Sequence, residues 1–247
     1  MNNVKTISMC LCDRPDYARQ VLEALRACDG IGDYLVLPHV EPGNEEVRAL
    51  IEAIDFAECL PTFNERRLGV NRNTENALLD GFSFGDFVIH IEDDILLAPD
   101  ALRYFEWAAA RYAADSSVFS VTGYNRRADP VAPEDYHRTR LRAWFHPWGW
   151  GTWKNRWELF SGRLYLSPCT WDVFLNVNFC AEERTPCCHE VYPELARTQN
   201  IGRYSAIGSH MAEESWFFKY RYLKYWAGNQ VVPVAEFHDA NPSGKAT

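Results

Sequence analysis

Short apolar runs alternate with amphipathic stretches along the first half of the chain. Residues 4–12 are β-branched and apolar and predict a buried strand. The run breaks at Asp13-Arg14-Pro15-Asp16. Asp13 is placed to cap a helix there, and Pro15 fits its first turn. Tyr17, Val21, Leu22 and Leu25 then share one helical face as far as about Cys28. Residues 34–40 predict a second strand, and Glu41-Pro42-Gly43-Asn44 a turn, with Asn44 capping a helix through Ile54. Strand, helix, strand, helix in this order predicts a parallel, doubly wound α/β sheet.

After a polar stretch at 64–73, residues 74–82 have helical spacing. FVIHI at 87–91 is a short apolar strand that runs straight into Glu92-Asp93-Asp94. A helix from Pro99 carries Leu102, Phe105, Trp107 and Tyr112, and 118–122 predicts another strand. Residues 124–142, rich in Arg, Asp and Pro, read as a long loop. Beyond them, 144–157 is dense in aromatic residues and glycine, and 170–180 is helical in pattern. Residues 193–208 hold no clear long element, 213–226 suit an amphipathic helix, 230–237 a strand, and 241–247 a loose tail.

The length of 247 residues suits one α/β domain with an appended C-terminal piece. A net charge of −9 disfavours general binding to nucleic acid. No apolar run reaches the ~18–20 residues of a membrane span, and the N-terminus lacks the apolar region of a secretory signal. With eight cysteines and no small disulfide-dense scaffold, free thiols in a cytoplasmic protein are expected. Aromatic residues reach 14%, which suits either a ring- or sugar-stacking site or a thick aromatic core.

The sharpest chemical signal is the strand that ends in three acids. Clustered carboxylates repel one another, and a hard divalent cation such as Mg²⁺ or Mn²⁺ relieves the repulsion. The carboxyl edge of a parallel sheet is also where α/β proteins bind ligands. The plainer reading is an acidic turn before the next helix. Trp148-Gly149-Trp150 offers aromatic walls with a closely approaching backbone, or else a packed turn. Asp172 is either a helix cap or a general base at a pocket rim. His210 is a candidate metal or diphosphate ligand, while His90, inside a strand, reads as structural. Cys187-Cys188-His189 lacks the paired spacing of a zinc knuckle. Dinucleotide, P-loop and nucleophile-elbow motifs are absent.

Together, ISMCLCDRPDYARQVLEAL, RRLGVNRNTENALLDGF, FVIHIEDDILLAPDALRYFEWA, HPWGWGTWKNRW and TQNIG resemble, in order, segments of the GT-A nucleotide-sugar-dependent glycosyltransferases. HPWGWGTWKNRW and TQNIG resemble bacterial members of this group, and the E-D-D with a following G-W and W-D is also similar to the N-acetylglucosaminyltransferase I-like branch. The resemblance covers residues 4–211. It implies a GT-A Rossmann-like, mostly parallel sheet flanked by helices, with a smaller acceptor-side segment. The domain would span 1–212, its nucleotide-sugar-binding half 1–123 and its acceptor-side half 124–212, followed by a C-terminal piece at 213–247.

The activity it implies is metal-dependent transfer of a sugar from a nucleoside diphosphate donor, UDP-linked by family habit, to an acceptor hydroxyl with inversion. The acceptor would be a glycan, a lipid-linked glycan or a protein. By the same resemblance Asp94 is the principal ligand of Mn²⁺ or Mg²⁺, with Asp93 and His210 as further ligands. Glu92 and Asp93 would contact ribose, donor sugar or metal-bound water. Cys12, Asp13 and Arg14 would lie by the nucleoside and Glu41 near its base or ribose. Arg67, Gly69 and Asn71 would approach the nucleotide or diphosphate. Trp148, Gly149 and Trp150 would line the donor and acceptor cleft, and Asp172 would be the general base. One departure stands out: the N-acetylglucosaminyltransferase I-like branch has a second acid directly after Trp-Asp, and this chain has Val173. That departure keeps a catalytically impaired carbohydrate- or nucleotide-binding protein as an alternative, beside a nucleotidylyltransferase.

Overall fold

The computed structural model describes residues 4–127, 129–179, 188–202 and 223–240. Strands β1 (Lys5–Leu11) and β2 (Tyr34–Val40) are buried along almost their whole length. Strands covered on both faces read as continuous apolar runs, which is why neither alternates. Between them, α1 (Pro15–Arg26) buries Ala18, Val21, Leu22 and Leu25. The residue at its N-cap is Arg14 rather than the expected Asp13, and no side chain caps it. The α2 helix (Glu45–Glu52) begins as expected at Asn44, whose side chain accepts from the Val47 N–H.

After the short strands β3 (Glu58–Cys59) and β4 (Thr62–Phe63), α3 (Val70–Phe84) starts a turn earlier than apolar periodicity indicates. The reason is that its buried face opens with the polar residues Asn73, Thr74 and Glu75. Next come β5 (Phe87–Glu92), β6 (Ile95–Leu97), α4 (Ala101–Arg111) and β7 (Val118–Thr122). The second half adds β8 (Arg138–Arg142), β9 (Trp150–Trp153), α5 (Lys154–Trp157) and α6 (Trp171–Phe179). It ends with β10 (His189–Pro193), β11 (Thr198–Asn200) and β12 (His238–Asp239).

Ten strands form one sheet in the order β12-β8-β10-β7-β9-β5-β1-β2-β3, with β4 also on β2. The first five strands pair only in parallel among themselves. Between β5 and β7 lies β9, antiparallel to both. Gly151 at its centre is required by packing, because a Cβ there would meet the Phe87 ring at 2.5 Å. Around β9 gathers a second, aromatic core of Phe119, Phe145, Trp150, Trp157, Phe160 and Trp171, in which Trp150 stacks on Trp171 with centroids 5.7 Å apart.

Three expectations for the second half are corrected. The expected loop at 124–142 ends in strand β8, RTRLR, which pairs with β10. Two of its arginines reach across to the β10 side: Arg142 lies opposite Glu190 and bonds it at 2.6 Å, and Arg140 pairs with Glu194 just past the end of β10, while Arg138 pairs locally with Asp135. Charges that read as loop are cross-strand ion pairs. The expected strand at 230–237 is irregular. Pro233 lacks an N–H, Val231 and Val234 are exposed, and pairing is confined to His238 and Asp239 on β8. Of the helix expected at 213–226, residues 223–226 are not helical; the rest, like the tail at 241–247, lies outside the described residues. No described helix is long and apolar enough to cross a membrane.

Arg197 is fully buried and ties the start of α4 to the β10–β11 turn. Its Nη2 donates to Asp100 at 3.0 Å, and its Nη1 donates to the carbonyls of Tyr136 and Leu195 at 2.7 and 2.5 Å. Removing one partner of a buried pair leaves the other charge uncompensated. Arg197→Met is therefore expected to destabilise the fold by about 3–5 kcal/mol in urea titrations. A loss below ~1 kcal/mol would contradict this role.

Candidate active site

Parallel pairing aligns the carboxyl ends of three strands on one edge. Leu11 of β1 is in register with Val40 of β2, and Cys10 with Glu92 of β5. The ladder continues one step past the strands, with the Glu41 N–H donating to Leu11 and the Asp93 N–H to Cys10. Cys12, Asp13, Arg14, Glu41, Glu92, Asp93 and Asp94 thus meet at the edge where α/β folds place ligands.

The N-cap position of Arg14 sends its side chain across to the acids. Its Nη1 donates to Asp94 Oδ2 at 2.9 Å, its Nε to Asp93 Oδ2 at 3.3 Å, and its Nη2 to Asp93 Oδ1. The Cys12 N–H also donates to Asp93 Oδ2, at 3.4 Å. On the far side, β11 runs antiparallel to β6 with Asn200 opposite Ile95. Asn200 Nδ2 lies 3.4 Å from Asp94 Oδ1, and the Ile201 N–H donates to the Asp94 carbonyl at 2.8 Å. Gly202 packs so tightly on Asp94 that a Cβ there would collide with the carboxylate. Asn200 and Gly202 are not among the residues singled out by the sequence, where their signal is the TQNIG resemblance.

Burial raises the carboxyl of Glu92 to about 8, helped by the charges of Asp94, Asp172 and Asp93. Burial likewise raises Asp93, to about 6, against the opposing pull of Arg14. Partial burial works against the charge on Arg14, but Asp94 and Asp93 outweigh it and hold the guanidinium protonated. Asp172 lies in the first turn of α6 and is partly buried. Its field reaches Glu92, so α6 brings it towards the acid edge. Its carboxylate makes no hydrogen bond or ion pair among the described residues, so it is not spent as a helix cap. Val173 beside it is 45% exposed.

The remaining candidates are spread around this edge. The carboxylate of Glu41 accepts from the Leu68 and Gly69 N–H groups at 2.9 and 2.8 Å and so anchors the start of α3. Gly69 has φ +82°, a left-handed conformation that suits glycine. Asn71 donates to the carbonyls of Leu164 and Cys169 at 3.2 and 2.9 Å. An open cavity of about 530 Å³ lies between Leu68–Arg72 and Ser167–Thr170, directly before α6. Arg67 is exposed, and its charge is felt at the Cys12 thiol, which burial raises to about 11.

Trp150 does not line a cleft: it is fully buried in the aromatic core. Trp148 is 5% exposed and packs on Tyr124 and His146. Gly149 serves packing rather than ligand approach, since a Cβ there would sit 2.7 Å from Thr198 Cγ2. The plainer reading of this segment is thus the one realised. His90 is structural as expected: fully buried, 2.8 Å from Ser8 Oγ, and lowered to about 3 by desolvation. His210 lies outside the described residues, as does Cys187. The described cysteines are free thiols, and no three His, Cys, Asp or Glu side chains converge on a metal position among the described residues.

No protein-family model matches the chain. It is 26% identical over 127 residues to an alpha-1,3-mannosyl-glycoprotein 2-beta-N-acetylglucosaminyltransferase of Arabidopsis thaliana. That alignment takes in 51% of this chain and spans only 27% of the length of the curated relative. Among solved structures it is similar to mannosyltransferase PcManGT from Pyrobaculum calidifontis in complex with GDP-Man and Mn²⁺. The TM-score is 0.53 at 16% identity, covering 75% of this chain and 54% of that one. For TarS 1-349 of S. aureus the TM-score is 0.54 at 13% identity, covering 78% of this chain and 59% of that one. At such identities the likeness speaks for architecture, and the mixed, mostly parallel sheet flanked by helices is that of the GT-A glycosyltransferases.

Proposed function

We propose that the chain transfers a sugar from a nucleoside diphosphate donor to an acceptor hydroxyl, with inversion at the anomeric carbon. The observation that carries this reading is the convergence of Arg14, Glu92, Asp93 and Asp94 at the carboxyl edge, with Asp172 in electrostatic reach. The similarity to a curated N-acetylglucosaminyltransferase supports it. A UDP-sugar is the first donor to test, and GDP-mannose, bound in the P. calidifontis protein, the second. The acceptor is a glycan, a lipid-linked glycan or a protein.

The donor set suits a hard divalent ion. Mn²⁺ and Mg²⁺ take carboxylate oxygens, commonly one or two of them, and complete their shell with water and substrate phosphate rather than an all-protein cage. The acid pair Asp93/Asp94 already binds one cationic group, the Arg14 guanidinium, which marks it as a cation position. Asp94 and Asp93 would hold the ion, which when bound would offset the charge of the departing diphosphate. Asp172 accepts the proton of the acceptor hydroxyl as its oxygen attacks the anomeric carbon. Glu41 holds the backbone at the start of α3, and with it one wall of the cavity before α6.

A second reading, binding without turnover, is favoured by one feature: Val173 stands where the related branch has its acid. The two readings separate on Asp172. Nucleoside diphosphate release should fall at least ~100-fold in Asp172→Asn, with donor affinity kept within about twofold. Unchanged turnover would remove Asp172 as the base, and a wild-type protein that binds donors without ever turning them over would favour the binder. In thermal shifts, a UDP- or GDP-sugar with Mn²⁺ should raise the melting temperature, and Asp94→Asn should lose the metal-dependent part. Equal shifts in the two proteins would refute Asp94 as a ligand.

The acid cluster also sets a pH dependence on the metal-free fold. A carboxyl raised to about 8 binds its proton more tightly folded than unfolded. Its contribution to stability is therefore greatest at acid pH and declines as pH rises from the ordinary carboxylate range towards 8. Urea unfolding in EDTA should show Glu92→Gln gaining on wild type between pH 5 and pH 8, with a slope of up to ~1.4 kcal/mol per pH unit. Parallel curves for the two proteins would mean that Glu92 is not desolvated.

A further inference from the structure

All four carboxylate oxygens of Asp93 and Asp94 already face a protein nitrogen. Arg14 reaches three of them, through Nε and Nη2 on Asp93 and Nη1 on Asp94. The Cys12 N–H shares one of those three, and Asn200 Nδ2 lies 3.4 Å from the fourth. Gly202 lies so close to Asp94 that a Cβ on it would sit 2.0 Å from Oδ2. A divalent ion held by both acids therefore competes with Arg14 for their oxygens. It must displace a guanidinium that bridges two acids in a partly buried setting, where such bonds are strong.

We propose that Arg14 is an internal counter-cation that closes the acid pair to divalent ions until an anionic ligand draws it away. The inference rests on the reading of Asp93/Asp94 as a metal position. Its physical basis is exclusion between like charges. A guanidinium and a divalent cation cannot both sit on the same two carboxylates without repelling each other. The planar fork of Arg14 can instead turn to the oxygens of a diphosphate, its other bidentate partner. Turning frees the acids for the ion, and the diphosphate then lies between the two cations. The side chain is 22% exposed and flanks the Tyr17 ring with its Cζ 5.4 Å from the centroid, so it keeps an apolar face to turn against. Metal and nucleotide binding are then coupled: each is weak alone and tight together, and by linkage each strengthens the other by the same factor.

The test uses the full chain and Mn²⁺ alone, titrated by electron paramagnetic resonance of the free ion. Arg14→Gln should bind Mn²⁺ about tenfold or more tightly than wild type without nucleotide, a coupling within the usual range. Adding Asp94→Asn should abolish that gain. In wild type, UDP or GDP should tighten Mn²⁺ binding by a similar factor, and in Arg14→Gln by much less. Arg14→Lys carries the test should Arg14→Gln fail to fold. One ammonium cannot span both acids, so Mn²⁺ affinity should rise severalfold, and no rise would overturn the inference.

Two failures are distinguishable. Wild type could bind Mn²⁺ with nucleotide in an Asp94-dependent way while Arg14→Gln gains nothing with Mn²⁺ alone. The latch is then refuted and the metal position stands. If no variant binds Mn²⁺, with or without either nucleotide, both the latch and the metal position are refuted.

Discussion

The structure turns on charge compensation at the end of one buried strand. Strand β5 enters the core as an apolar run and leaves it as three consecutive acids. Ionised carboxylates in so little water are costly unless matched. Two answers to that cost are visible side by side. Asp93 and Asp94 are held by Arg14, while Glu92 is pushed towards its neutral form. The cluster thus keeps less negative charge than its composition suggests, and its protonation and its cation content are parts of one balance.

Much of the surrounding architecture serves to hold that balance in place. Parallel pairing of β1, β2 and β5 fixes which residues reach the edge. The β6–β11 pair then brings Asn200 and Gly202 to the far side of Asp94. Buried Arg197 secures the same region from behind, joining α4 to the turn that precedes β11. A site built on strand ends and short turns moves less than one carried on long loops.

The N-terminal half was legible because burial on both faces writes itself as apolar runs, as in β1, β2, β5 and β7. The acids after β5 were legible because no core strand tolerates three carboxylates in succession. The second half was harder for the opposite reason. In β8 and β10 the stabilising units are Arg–Glu pairs across the ladder, and only one member of each pair is visible in any local window. The start of α3 was hidden by a polar buried face, and its anchor, Glu41, lies in a different turn. Trp148 and Trp150 had two readings that composition could not separate, and three-dimensional packing decided for the core. The contact of Arg14 with the acids joins residues almost eighty positions apart, a distance over which no sequence pattern reports.

The antiparallel strand β9 has a consequence for how the chain is made. Its partners β5 and β7 both precede it, yet they do not touch each other in the sheet; β9 is the plank between them. While a ribosome is still short of residue 150, both edges stand open, rich in valine, isoleucine and phenylalanine. Unpaired apolar edges of this kind recruit other chains. The glycines and tryptophans of 148–153 close that gap, and the far edge of β7 waits for β10 at 189–193, so synthesis has a vulnerable interval that narrows in two steps.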